Sequence, residues 1–165
     1  MTPRIPATLV LAALCLPAAA ACDISFADPS KFADIGAADE VDPNVKELQK
    51  YFQSLCDKKL PQGASLQLQV LDVDLAGDRR LGGTGKWLRV MNGKNDWPII
   101  RVKYTIERTG QPPHEDTEMI SDPLYLDRGR SISDDPLRYE KRMLSVWFQK
   151  RIVEGKAPPA PKKRK

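Results

Sequence analysis

The chain has 165 residues, 41% of them hydrophobic, 29% charged and 7% aromatic. That is one domain's worth of globular composition, which excludes a large multidomain enzyme and a collagen-like or fully disordered chain. The formal charge of +4 invites a polyanion partner, but residues 22–154 hold 20 basic against 22 acidic side chains, so the excess sits at the two ends.

The chain opens with Arg4, an apolar stretch from Ile5 to Leu16, then Pro17 and four alanines. A basic start, an apolar middle and a small-residue exit describe a secretory signal peptide over residues 1–21, too short to span a membrane comfortably. Ala19 and Ala21 suit ordinary signal peptidase. Cys22 follows at once, and small residues before a cysteine also resemble the bacterial lipobox, although Ala19 stands where that pattern prefers Leu. The mature chain keeps two cysteines, Cys22 and Cys56. Lipidation of Cys22 and a Cys22–Cys56 disulfide in an oxidising compartment are mutually exclusive alternatives, and a buried free Cys56 thiol is a third.

Asp23–Ala27 alternates polar and apolar residues, as a half-buried strand does. Asp42-Pro43 reads as a helix start, with Asp as cap and Pro in the first turn. Val45, Leu48, Phe52, Leu55 and Cys56 then fall on one helical face. Along Ser65–Leu75 the apolar residues are Leu66, Leu68 and Val70, then Leu71, Val73 and Leu75. A single change of phase predicts a β-bulge or bend. Ala76–Gly85 reads as a glycine-rich loop and Trp87–Met91 as a strand. Trp97–Glu107 is the clearest strand, with Ile100, Val102, Tyr104 and Ile106 on one face, and Glu115–Ser121 returns beside it. Asp122–Ser133 is irregular. Asp135-Pro136 opens a last helix that puts Leu137, Leu144, Phe148 and Ile152 on one face, with Trp147 at its edge. The order β-α-β-β-β-β-α predicts an α+β fold: an antiparallel sheet of about four to five strands with two helices packed on one face. Residues 22–154 form that single domain. The segment 155–165, rich in Pro and Lys, is expected to remain a disordered basic tail.

Four stretches carry a resemblance when taken together: Phe26–Phe32, Leu71–Gly77, Trp97–Tyr104 and Asp135–Phe148. In this order and spacing the chain resembles an uncharacterised proteobacterial envelope family, domain of unknown function three-thousand-and-sixteen, over nearly all of residues 23–153. The resemblance implies a bacterial, exported, single-domain protein. It implies no activity and transfers no catalytic residue.

The chemistry-bearing residues point the same way. The single histidine, His114, lies in a Pro-Pro-His-Glu-Asp turn, where exposure is the ordinary outcome. No Gly-x-Ser-x-Gly elbow occurs. One His with two Cys cannot complete a four-ligand structural zinc site without carboxylates. Gly82-Gly-Thr-Gly-Lys86 fails as a phosphate loop, since Arg80 and Trp87 occupy the positions that need Gly and Ser or Thr. Asp72 and Asp74 share a strand face and could hold a hard cation or divide acid and base roles. The plainer expectation is a solvated strand end. Tyr139-Glu-Lys-Arg142 is explained by salt bridges at helical spacing. The residues call for no cofactor. Nucleic acid is not an expected partner, because the aromatic residues sit on apolar faces instead of among exposed basic ones. The expected function is a non-catalytic binding or accessory domain in the periplasm, soluble or lipid-anchored. The alternatives are a small cation-dependent hydrolase using Asp72 and Asp74, and a binder of anionic membrane or cell-wall surfaces through the basic tail.

Overall fold

A computed structural model describes residues 21–85, 87–127 and 134–158. The expected leader, apart from Ala21, lies outside the described residues, as do Lys86, residues 128–133 of the irregular stretch and residues 159–165 of the tail. The elements are β1 (Ala21–Phe26), α1 (Val41–Lys59), β2 (Ala64–Asp74), β3 (Asp78–Leu81), β4 (Trp87–Val90), β5 (Ile99–Arg108), β6 (His114–Ser121) and α2 (Arg138–Phe148). A 3-10 turn at Pro29–Lys31 follows β1, and a π-helical turn at Gln149–Val153 extends α2.

The fold is α+β. A four-stranded sheet runs in the order β1-β2-β5-β6, and β3 and β4 form a separate two-stranded ribbon. β5 is antiparallel to both β2 and β6. The expectation of a wholly antiparallel sheet is corrected at one edge: β1 runs parallel to β2, from Ala21 opposite Ser65 to Phe26 opposite Val70. The physical reason is the connection. A parallel pair needs a long crossover, and the 19 residues of α1 supply it. A second correction is β3, which lies inside the stretch read as a loop. Three of its four residues are exposed, so it carries no inside-outside alternation to read.

The bulge falls where the phase change placed it. Pairing between β2 and β5 shifts register between Val70 and Asp72, leaving Leu71 without a partner. Before it Leu66, Leu68 and Val70 are buried; after it Val73 is. One extra residue therefore keeps both halves of an 11-residue strand facing the same core.

That core gathers alternate residues of β2 and β5 with Leu48, Phe52 and Leu55 of α1 and Leu144 and Phe148 of α2. Burying each such side chain is worth about 1.5–3 kcal/mol. Ile152 is also buried, and its carbonyl accepts a 2.6 Å hydrogen bond from Arg108 Nη2.

Both helix starts shift by a few residues from the expected caps. α1 begins at Val41, so Asp42 sits in its first turn, where a carboxylate favours the helix dipole. Asp135 accepts from the Leu137 amide at 2.9 Å and shapes a turn just before α2. The charged run on α2 is not a set of bridges along the helix. Lys141 Nζ binds Glu47 of α1 and Asp135, each at 2.6 Å, while Tyr139 and Glu140 are buried.

Candidate functional site

The end of β2 is where carboxylates converge. Past the bulge the strand is regular again, so Asp72 and Asp74 share the face opposite buried Val73, as their spacing requires. Asp34 joins them from the loop after β1, pairing as an isolated parallel bridge with Asp74. The expected solvated strand end is corrected here, because both β2 carboxylates are half-buried.

Asp72 Oδ1 accepts from the Ala33 amide at 2.9 Å and the Val73 amide at 3.0 Å. It thus holds the β1–α1 loop against the bulge. Asp34 Oδ1 accepts from Gly36 N at 2.9 Å, and its two oxygens receive a fork from Arg89 at 3.0 and 3.1 Å. Burial raises the Asp74 pKa above the ordinary carboxylate range, and the charges of Asp34 and Asp72 add to the shift. Among the described residues, no group of three or more His, Cys, Asp or Glu side chains is arranged to hold a metal ion.

Behind this cluster lies a polar layer that periodicity did not reveal. Glu140 of α2 is 1% exposed, and its Oε1 accepts from the Ala76 amide at 2.7 Å. Its Oε2 is buried without a partner, and burial raises its pKa. Asp96 Oδ2 accepts from Asn92 N at 2.6 Å. The Tyr125 hydroxyl accepts from Gly93 N at 3.4 Å, and its pKa is pushed up to about 12 by burial and then by its hydrogen bond with Asp96. Tyr125 and Tyr139 meet edge to face at 4.9 Å. Together these side chains fasten the β3–β4 ribbon and the 122–127 turn to α2. In the sequence Glu140 stands beside Tyr139 in a charged run, which does not separate a buried acid from a surface one.

His114 is exposed at the start of β6, with its ring 6.1 Å from Tyr104. The Tyr104 hydroxyl donates to Glu118 Oε1 at 2.8 Å, and Glu118 Oε2 receives Arg151 Nε at 2.9 Å. This pair borders a groove of about 500 Å³ between β6 and α2, lined by Met119, Met143, Val146 and Trp147 among others. Trp147, expected at the edge of the apolar face, is buried, and its Nε1 has no partner.

Cys22 and Cys56 come together. β1 directs Cys22 toward α1, and the Cα atoms of Cys22 and Cys56 are 6.2 Å apart with their sulfurs in contact. That separation lies within the range a disulfide spans. No described helix is long and apolar enough to cross a membrane.

No curated protein matches the chain. A crystal structure described as a minor lipoprotein from Acinetobacter baumannii aligns over 83% of this chain and 96% of its own, with 18% identity and a TM-score of 0.22. At that TM-score the likeness carries no argument about fold or activity. The family model described as "Protein of unknown function (DUF3016)" matches residues 20–150, from β1 to the end of α2, as the four motif stretches led one to expect. The chain belongs to that family.

Proposed function

We propose that the protein is an exported bacterial envelope protein, a non-catalytic binding or accessory domain of the periplasm tied by a Cys22–Cys56 disulfide. The observation that carries this reading is the meeting of those two sulfurs. A disulfide persists in an oxidising compartment, and Cys22 follows directly on a leader-like sequence. A bonded Cys22 has no sulfur left for a lipid thioether, so this reading favours the soluble form.

The non-catalytic part of the reading rests on how the candidate acids are used. Asp72 holds two backbone amides, Asp34 holds Arg89, and Glu140 holds Ala76. These are the bonds of a scaffold. The reading also places both helices on the Leu66, Leu68 and Val102 side of the sheet. It is supported by the single core cluster that contains residues of α1, α2, β2 and β5.

Osmotic-shock fractionation of the native host, followed by N-terminal sequencing, tests export. The expected result is release with the periplasmic contents and an N-terminus near Ala21 or Cys22. Full-length chain retained in the cytoplasm would overturn the reading.

A further inference from the structure

The β3–β4 ribbon stands apart from the main sheet, and its tip is apolar. Leu81 is 62% exposed, Trp87 60% and Leu88 55%. Leu81 and Trp87 are register partners and share a face, while Leu88 lies opposite Arg80 on the other face. The end of the ribbon therefore shows large apolar side chains on both sides. Scattered single exposed residues are ordinary, but three large apolar side chains exposed together at one end of a ribbon, on both its faces, mark a docking element.

The base of the same ribbon is fastened. Arg89 donates to Asp34 and to the carbonyls of Leu75, Ala76 and Gly77. Gly77 N donates to Asp96 O at 2.8 Å. Gly77 has φ +85°, and a Cβ there would meet Val90 O at 2.8 Å, so the two strands close tightly at this end. A held base with an apolar tip is a presented element, not a frayed one.

Charge identifies what the tip meets. Residues 78–95 hold five basic side chains against one acid, leaving 15 basic against 21 acidic in the rest of residues 22–154. Arg79 stacks its guanidinium 5.1 Å from the Trp87 ring, and Arg80 sits beside Leu88 with Asp78 at 3.4 Å. Trp with Leu, flanked by Arg on an otherwise acidic body, is the chemistry of a water–lipid interface carrying negative headgroups. The acidic remainder of the domain would be repelled by such a surface, which orients the molecule ribbon-first.

We propose that the β3–β4 ribbon docks the domain onto an anionic membrane surface, with Leu81, Trp87 and Leu88 entering the headgroup region and Arg79 and Arg80 contacting lipid phosphates. This is a site distinct from the basic tail, and it does not depend on how Cys22 is modified.

The test is co-sedimentation of the intact protein, purified from its native cells, with vesicles of equal phosphatidylglycerol and phosphatidylethanolamine, and separately with phosphatidylcholine vesicles. The expected result is binding to the anionic vesicles alone, weakening as salt is raised. A variant carrying Leu81→Ser, Trp87→Ser and Leu88→Ser should lose about tenfold or more of that binding with a nearly unchanged melting temperature, because each of the three residues is more than half exposed. Should that variant fold poorly, Arg79→Glu with Arg80→Glu keeps the apolar tip and is expected to abolish the anionic binding. A chain ending at Pro158 should keep ribbon-dependent binding. The proposal is overturned by absence of binding, by equal binding to neutral vesicles, by survival of binding in the ribbon variants, or by its complete loss with the tail. Lipid-free dimers that the ribbon variant abolishes would assign the tip to a second copy of the chain and overturn it as well.

Discussion

Arg89 on β4 grips Asp34 in the loop after β1 with a two-pronged fork, Nη1 to Oδ2 at 3.0 Å and Nη2 to Oδ1 at 3.1 Å. The two residues are 55 positions apart. Asp34 is also stitched to β2, since its amide donates to Val73 O and its carbonyl accepts from Leu75 N. One ion pair thus joins the first loop, the end of β2 and the ribbon. Paired, partly buried and bidentate, it belongs to the stronger class of such contacts.

Arg89→Ala should therefore cost about 1–3 kcal/mol, and the loss should be local. Hydrogen exchange is expected to speed up for amides of residues 78–90 and to stay slow in β2 and β5. Arg89→Lys should rescue little, because an ammonium cannot make the fork. Uniform acceleration across the sheet would show that the pair supports the whole fold instead of the ribbon.

Deletion of Leu71 tests the bulge. Without it, Val70, Asp72 and Val73 become consecutive and keep their partners Val102, Arg101 and Ile100, so the ladder turns regular and Val73 stays on the core face. The variant should keep a cooperative thermal transition, and loss of that transition would show that the extra residue does more than correct the phase of the strand. Leu71→Ala keeps the bulge and should cost at most about 1 kcal/mol, since Leu71 is only half-buried.

The contrast between these two regions shows what was legible in the sequence. The bulge was readable because burial imposes a period of two, and a change of phase breaks it visibly. The same logic gave Ile100 to Ile106 in β5 and Leu48 to Cys56 in α1, all of which are where periodicity placed them. The parallel β1 was not read, although the strand–helix–strand order implies it, because the strand's own six residues look alike in either direction. β3 was missed because a ribbon exposed on both sides has no hydrophobic phase. The Asp34–Arg89 fork and the buried Glu140 were out of reach: each depends on residues more than fifty positions apart, and a charged side chain does not announce its burial.

Glu140 makes a pH prediction. Burial raises its folded-state pKa above the ordinary 4.5, so the folded chain holds this proton more tightly than the unfolded one. Its ionised form weakens the fold at neutral pH, and that penalty is relieved as pH falls through the raised value toward 4.5. Glu140→Gln keeps a carbonyl for the Ala76 amide and removes the buried charge. Its melting temperature should equal or exceed that of the natural chain at pH 7, with the difference shrinking on acidification. A gap that stays constant between pH 7 and pH 5 would contradict the assignment.

The paired cysteines make a stability prediction. They lie 34 positions apart and tie β1 to α1. Closing a loop of that length should be worth about 3–4 kcal/mol. Denaturant unfolding of Cys22→Ser/Cys56→Ser should lose about that much, and adding reductant to the natural protein should reproduce the loss. No difference between oxidised and reduced protein would mean that the sulfurs are not bonded in solution.

The most direct test of the proposal that the domain is exported and disulfide-tied is the intact mass of the unreduced protein taken from both soluble and membrane fractions of its host. The expected result is a chain beginning near Ala21 or Cys22, two hydrogens lighter than its reduced form, with Cys22 and Cys56 recovered in one cross-linked peptide. A lipid-modified Cys22, or two free thiols on the exported chain, would contradict it.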